Sequence, residues 1–194
     1  MTTIELKDQE LSCDNLAALC DEDMIKLSLT NVTLIGDDAT SLGKALRGQQ
    51  DLEEIVLVSV AYDVADLLDG PLSMALVSAP SLARLHIEGT PVSVSALLSA
   101  AYATALKELI LPKNHFDDAA AVTLASTISA NTALKKIDLS DNELSNKGCE
   151  AIATALEKNS GVEVVELGGN GKITAEQLTK IAEMTRQGGR AVAA

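Results

Sequence analysis

The sequence predicts an α/β solenoid: a right-handed, horseshoe-shaped arc of about seven strand–turn–helix units, with a parallel sheet on the concave face and helices on the convex face. Three observations predict it. First, two segments 28 residues apart align without a gap. Leu106, Leu109, Leu111, Asn114 and Phe116 face Leu134, Ile137, Leu139, Asn142 and Leu144, and both fit LxxLxLxxNxL. Second, the same frame recurs along the chain, starting near residues 1, 24, 52, 82, 106, 134 and 162. Third, hydrophobic residues make up 47% of the 194 residues and aromatic residues only 2%. Such a composition suits thin, regular layers of Leu, Ile, Val and Ala better than one globular core, which carries more aromatic bulk.

The physics of the frame fixes each element. Apolar residues at its fourth and sixth positions point inward from a short strand, and the residues between them point out. An Asn at the ninth position turns the chain and satisfies backbone groups exposed by the turn. Met1, Ile4, Leu6 and Leu11 are a worn first copy, followed by Met24, Leu27, Leu29 and Leu34. Leu42, Ala45 and Leu46 then recur at helical spacing, with Asp37 as the expected N-cap. Leu52, Ile55, Leu57 and Tyr62 make the third copy, and Leu82, Leu85, Ile87 and Val92 the fourth. An inserted stretch, Asp63–Pro71, and a short unit, Pro91–Ala105, are expected to interrupt the convex face. The ninth-position Asn is missing from these four units, where Gln9, Val32, Val60 and Thr90 stand, so their turns are expected to be bonded differently.

The fifth and sixth units keep matching into their second halves: Leu124 faces Ile152, Ile128 faces Leu156 and Asn131 faces Asn159. Ser145 is the expected N-cap of the helix carrying Ile152, Ala155 and Leu156. Val162, Val165, Leu167, Asn170 and Ile173 form the last copy, with one extra residue before Ile173. Thr174 and Gln177 make a capping-box pattern that opens a closing helix over about 174–185. The reading is thus one repeat domain over 1–187, with 188–194 a frayed tail.

The stretch Asn142, Leu144, Gly148, Ile152, Leu156 resembles the second-half pattern of the ribonuclease-inhibitor-type leucine-rich-repeat family, whose repeats run about 28 residues with a full helix. The resemblance is strong over 106–173, fair over 24–57 and loose elsewhere. It implies a non-catalytic protein–protein interaction module or scaffold that binds a protein partner through its concave face. Similar repeats occur in Ran GTPase-activating proteins and in tropomodulin-type actin caps, so a regulator of a small GTPase or of a cytoskeletal protein is the alternative.

Composition bounds the partner. A formal net charge of −13 repels phosphate backbones and anionic lipid, so neither nucleic acid nor membrane is expected. The start lacks the basic and apolar regions of a secretory signal, and no run of 18 apolar residues exists. The three cysteines, Cys13, Cys20 and Cys149, form no CxxC, which fits reduced thiols and a cytoplasmic setting. Asn31-Val32-Thr33 matches a glycosylation acceptor by chance.

No chemistry-bearing constellation emerges. His86 lies at an outward strand position and His115 in a turn, and neither has a neighbour at metal-ligand spacing. Gly168, Gly169 and Gly171 echo a phosphate loop, but Glu166 and Ile173 stand where that loop needs Gly and Ser or Thr. Asp138, Ser140 and Asn142 echo a calcium loop whose required Gly and carboxylate are replaced by Glu143 and Cys149. Cys149 sits near a helix start, where a dipole lowers a thiol pKa, but its place after Gly148 favours plain packing. No enzymatic activity, cofactor, metal or small-molecule substrate is expected, and the chain is expected to be a monomer or to self-associate weakly.

The candidate partner-binding residues are outward ones. Val56, His86 and Ile110 share a column in three consecutive units, a largely apolar strip flanked by charge. Lys107, Lys135 and Lys136 gather scarce positive charge, and Arg84, Lys113 and Asp138 are further outward residues of the same later rows. Such a cluster would steer an acidic partner segment.

Overall fold

The first unit, the most degenerate in sequence, is a full member of the sheet. The structure is a computed structural model that describes residues 2–20, 23–36, 39–187 and 191–193. Strand β1 (Thr2–Ser12) runs parallel to β2 (Met24–Ile35), with Ile4 beside Leu27, Leu6 beside Leu29 and Leu11 beside Leu34. Strands β3 (Glu54–Val58), β5 (Arg84–Glu88), β6 (Glu108–Ile110), β7 (Lys136–Asp138) and β8 (Val164–Glu166) follow in parallel order, while the short β4 (Ala61–Tyr62) pairs with β2. The register equates Leu27, Ile55, Leu85, Leu109, Ile137 and Val165, the fourth position of each frame. All of these side chains are buried, and the apolar core runs without a break from Ile4 to Ile181.

Helices α1 (Cys13–Leu19), α2 (Thr40–Leu46), α3 (Asp69–Ser78), α4 (Asp118–Ala130), α5 (Asn146–Lys158) and α6 (Ala175–Gln187) return the chain along the convex side. Ser145 caps α5 by accepting from the Lys147 N–H at 3.2 Å. Thr174 accepts from the Gln177 N–H at the same distance and opens α6. Asp37, expected to cap α2, lies outside the described residues. The short fourth unit replaces its helix with a 3-10 helix, Ala96–Tyr102. A 3-10 helix rises about 2.0 Å per residue against about 1.5 Å for an α-helix, so fewer residues span the same return path.

Two ladders of asparagine tie the later units together. On the turn side, Asn114 donates to the Ile87 carbonyl, Asn142 to that of Leu111 and Asn170 to that of Leu139, each reaching back to the preceding unit. On the helix side, Asn131 and Asn159 end α4 and α5 and do the same toward Ala103 and Asn131. Where the turn asparagine is missing, the backbone is satisfied otherwise. β1 and β2 continue as paired strands through Gln9–Val32 and Leu11–Leu34, and Thr90 accepts from the Val60 N–H with its hydroxyl.

The eighth position of every unit adopts a left-handed conformation: Asp8, Asn31, Ser59, Gly89, Lys113, Asp141 and Gly169 all have φ between 51° and 74°. Asp, Asn and Gly tolerate this, whereas Lys113 is held there by the turn around it. The expected frayed tail is corrected in part. The backbone of β9 (Ala191–Ala193) pairs in parallel with β8, occupying hydrogen-bonding groups that would otherwise form an open edge. Residues 188–190 and 194 lie outside the described residues.

Candidate partner-binding surface

The concave sheet displays its outward residues in columns set by the strand register. The third frame position reads Lys26, Glu54, Arg84, Glu108 and Lys136 across five adjacent strands. Its charges alternate, and the neighbours from Lys26 to Glu108 pair. Lys26 lies 3.1 Å from Glu54 and 3.4 Å from Glu5; Arg84 lies 3.4 Å from Glu54 and 3.6 Å from Glu108. Lys136 reaches diagonally to Glu166 at 2.7 Å. The hydrogen bond to Glu54 raises the Lys26 pKa, and that to Glu166 raises the Lys136 pKa, each outweighing the desolvation that opposes it.

The fifth position forms the expected strip. Val56, His86, Ile110 and Asp138 stand side by side on four strands. The strip is flatter than its composition suggests. Ile110 is only 6% exposed, Pro112 beyond it is buried, and Val56 and His86 are half-buried. Asp138 is buried too, and turns its carboxylate onto the N–H and hydroxyl of Ser140 at 2.9 and 2.6 Å. His86 places Nε2 3.5 Å from Glu88, with no hydrogen bond to that nitrogen among the described residues.

The clustered lysines and Lys113 lie at opposite ends of the strands. Lys107 and Lys135 lie together where the strands begin, joined by a 2.8 Å backbone bond, and Lys135 also pairs with Glu163 at 3.0 Å. Lys113 lies at the opposite rim, 2.8 Å from Glu88. That bond raises the Lys113 pKa and holds the Glu88 carboxyl below its usual range. Most of the candidate cations thus have carboxylate partners within the fold.

A feature missed in the sequence adjoins Lys113. A cavity of about 570 Å³ opens at the rim where the strands end, lined in part by Tyr62, Asp66, Thr90, Ser93, Lys113 and His115. It lies where the insertion after β4 meets the short fourth unit. These are the two irregularities in the repeat, and they were the signal that would have located it. The Tyr62 hydroxyl is buried beside it without a hydrogen-bond partner among the described residues. Burial, then Asp69 and Asp66, pushes its pKa up to about 12. Cys149, by contrast, is simply packed: burial pushes its thiol pKa up to about 11, against any lowering by the start of α5.

Among the described residues no helix is long and apolar enough to cross a membrane, and no group of three His, Cys, Asp or Glu is placed to hold a metal ion. A leucine-rich-repeat family profile matches residues 130–153, the join between the fifth and sixth units. No curated protein sequence matches. Among solved structures, leiomodin-1 actin-binding site 2 is similar with a TM-score of 0.55 at 21% identity, over 64% of this chain and 75% of that one. An internalin from Listeria monocytogenes is similar with a TM-score of 0.58 at 18% identity, over 95% of this chain but 47% of the internalin, so this chain spans about half of its length. The repeat, the sheet and these likenesses together establish a leucine-rich-repeat fold.

Proposed function

We propose that this leucine-rich-repeat protein is a non-catalytic interaction module, cytoplasmic and of the ribonuclease-inhibitor-like kind, that docks a protein partner across its concave sheet. The observation that carries the reading is the register-aligned display of outward side chains on successive strands, with Val56, Val58 and His86 half-buried between charged columns. An apolar centre inside a polar rim is the anatomy of a protein interface. The ribonuclease-inhibitor-like assignment rests on the 28-residue spacing of the last three units and the 13-residue helices α4 and α5.

The test uses the full chain with Val56→Asp and Val58→Asp together, because the nearly buried Ile110 would confound folding with binding. Affinity purification from the native lysate, read by mass spectrometry, is expected to lose the partners of the wild type while circular dichroism stays unchanged. Recovery of the same partners by the folded double variant overturns the concave-face reading.

A second reading, regulation of a cytoskeletal protein, is supported by the likeness to a leiomodin-1 segment described as an actin-binding site. Co-sedimentation with filamentous actin, and polymerisation in the presence of the chain, decide it. Absence from the pellet together with unchanged polymerisation removes this reading. Regulation of a small GTPase rests on repeat resemblance alone and is tested by GTP hydrolysis of candidate GTPases with and without the chain.

A further inference from the structure

We infer that a groove on the convex face, between α2, α3 and the 3-10 helix, docks an amphipathic, carboxylate-bearing segment of a partner protein. This site is separate from the concave sheet and stands or falls independently of it. The groove consists of two adjoining hollows of about 350 and 340 Å³ that share Arg47 and Met74. α2 and α3 approach closely because Gly43 has no side chain: a Cβ there would stand 3.3 Å from the Met74 sulfur and 3.8 Å from the Pro71 Cα.

The α3 helix has apolar residues on two sides. Leu72, Ala75 and Leu76 are buried in the core. Met74 and Val77, one turn apart and therefore neighbours on the helix surface, are 43% and 65% exposed. Leu98 and Tyr102 on the following 3-10 helix are exposed as well. Single exposed apolar residues are ordinary, but Met74 and Val77 sit on one helix face and line a preformed groove, which marks an interaction site.

Charge identifies the occupant. Among the described residues, the charged side chains lining the two hollows are Lys44 and Arg47, with no carboxylate beside them. This is a chain with 28 acidic and 15 basic residues. On the concave sheet Lys26, Arg84 and Lys136 are paired with glutamates. Lys44 and Arg47 are exposed and make no ion pair among the described residues. Two unpaired cations beside an apolar strip match a segment that combines apolar side chains with carboxylates, which a guanidinium binds in bidentate fashion. A nucleic acid or an anionic bilayer carries far more negative charge than a short segment with a few carboxylates, so the −13 charge of the whole molecule opposes these two much more strongly.

The test pans the full chain against a display library of random peptides about 15 residues long, enough for four helical turns. Enriched peptides are then titrated by fluorescence anisotropy against the wild type, Val77→Asp, Arg47→Glu and the concave variant Val56→Asp. Residues 47 and 77 are exposed, so these variants keep the fold, which thermal melting verifies. The expected result is peptides rich in both apolar and carboxylate residues, weakened about tenfold or more by each convex variant and unaffected by the concave one. Failure to enrich any peptide, enrichment without carboxylates, insensitivity to either convex variant, or loss on Val56→Asp overturns the inference.

Discussion

Asn142 directs its amide at the carbonyls of Leu111, Leu139 and Ser140, and its side-chain oxygen accepts from the N–H groups of Asn114 and Phe116. It is itself buried. Truncation therefore strands several backbone groups away from water, each worth about 1–3 kcal/mol when left unsatisfied. Asn142→Ala is expected to lower stability by about 3 kcal/mol or more in urea titration. Gln9 occupies the same frame position but is exposed, and its strand is held by backbone pairing with β2. Gln9→Ala is expected to change stability by less than about 0.5 kcal/mol. Equal effects at the two positions would show that the asparagine ladder does not hold the later turns. One frame position thus has two structural roles: an asparagine closes the turn in the last three units, whereas at Gln9 and Val32 the strand runs on.

Between elements, the junction of α4 and α5 turns on one carboxylate. Asp118, in the first turn of α4, accepts from the Ser145 hydroxyl at 2.6 Å, the Ser145 N–H at 2.8 Å and the Gly148 N–H at 3.0 Å. It thereby satisfies free N–H groups at the start of α5, where the helix dipole also favours negative charge. Gly148 permits the approach, since a Cβ there would meet an Asp118 carboxylate oxygen at 2.5 Å and the Ala121 Cβ at 3.2 Å. The Ser145 hydroxyl and then its N–H lower the Asp118 pKa below the ordinary 3.8. A pKa lower in the folded than in the unfolded chain gives stability that is complete above the unfolded value and is lost as pH falls through the folded one. Urea midpoints are accordingly expected to fall as pH drops below about 4. Asp118→Asn is expected to be about 1 kcal/mol less stable at neutral pH, with the gap closing in acid. A gap that stays constant with pH would remove the carboxylate from this role.

Across the whole molecule, stacking converts sequence separation into lateral contact. Residues one repeat apart stand on neighbouring strands about 4.8 Å from each other. The alternating column from Lys26 to Lys136 uses that geometry to distribute charge on an acidic protein. Arg84→Glu would set three carboxylates side by side, at positions 54, 84 and 108. Directly opposed like charges on a sheet are destabilising. The variant is expected to lose about 1 kcal/mol at low ionic strength and to recover most of it near 1 M salt, where screening shortens to about 3 Å. An equal loss at both salt concentrations would assign the effect to packing of the Arg84 stem instead of to charge.

The repeat, its phase and the inward positions were all legible in the sequence. A one-residue slip would turn every buried side chain of a strand to solvent, so the apolar pattern admits only one register. The same logic exposed the missing asparagines in the first four units and the two irregular stretches. Sequence alone also assembled the strip of Val56, His86 and Ile110, because a column follows from the frame. What only the tertiary structure decided is how those outward side chains spend their polarity. Ile110 is nearly covered, Asp138 is folded onto Ser140, and Arg84, Lys113, Lys135 and Lys136 each have a carboxylate within reach. The rim cavity, the groove opened at Gly43 and the pairing of β9 with β8 belong to the same class. Periodicity is a local property that the chain carries in its order of residues, whereas exposure and ion pairing depend on ångström-scale distances between units that no single unit encodes.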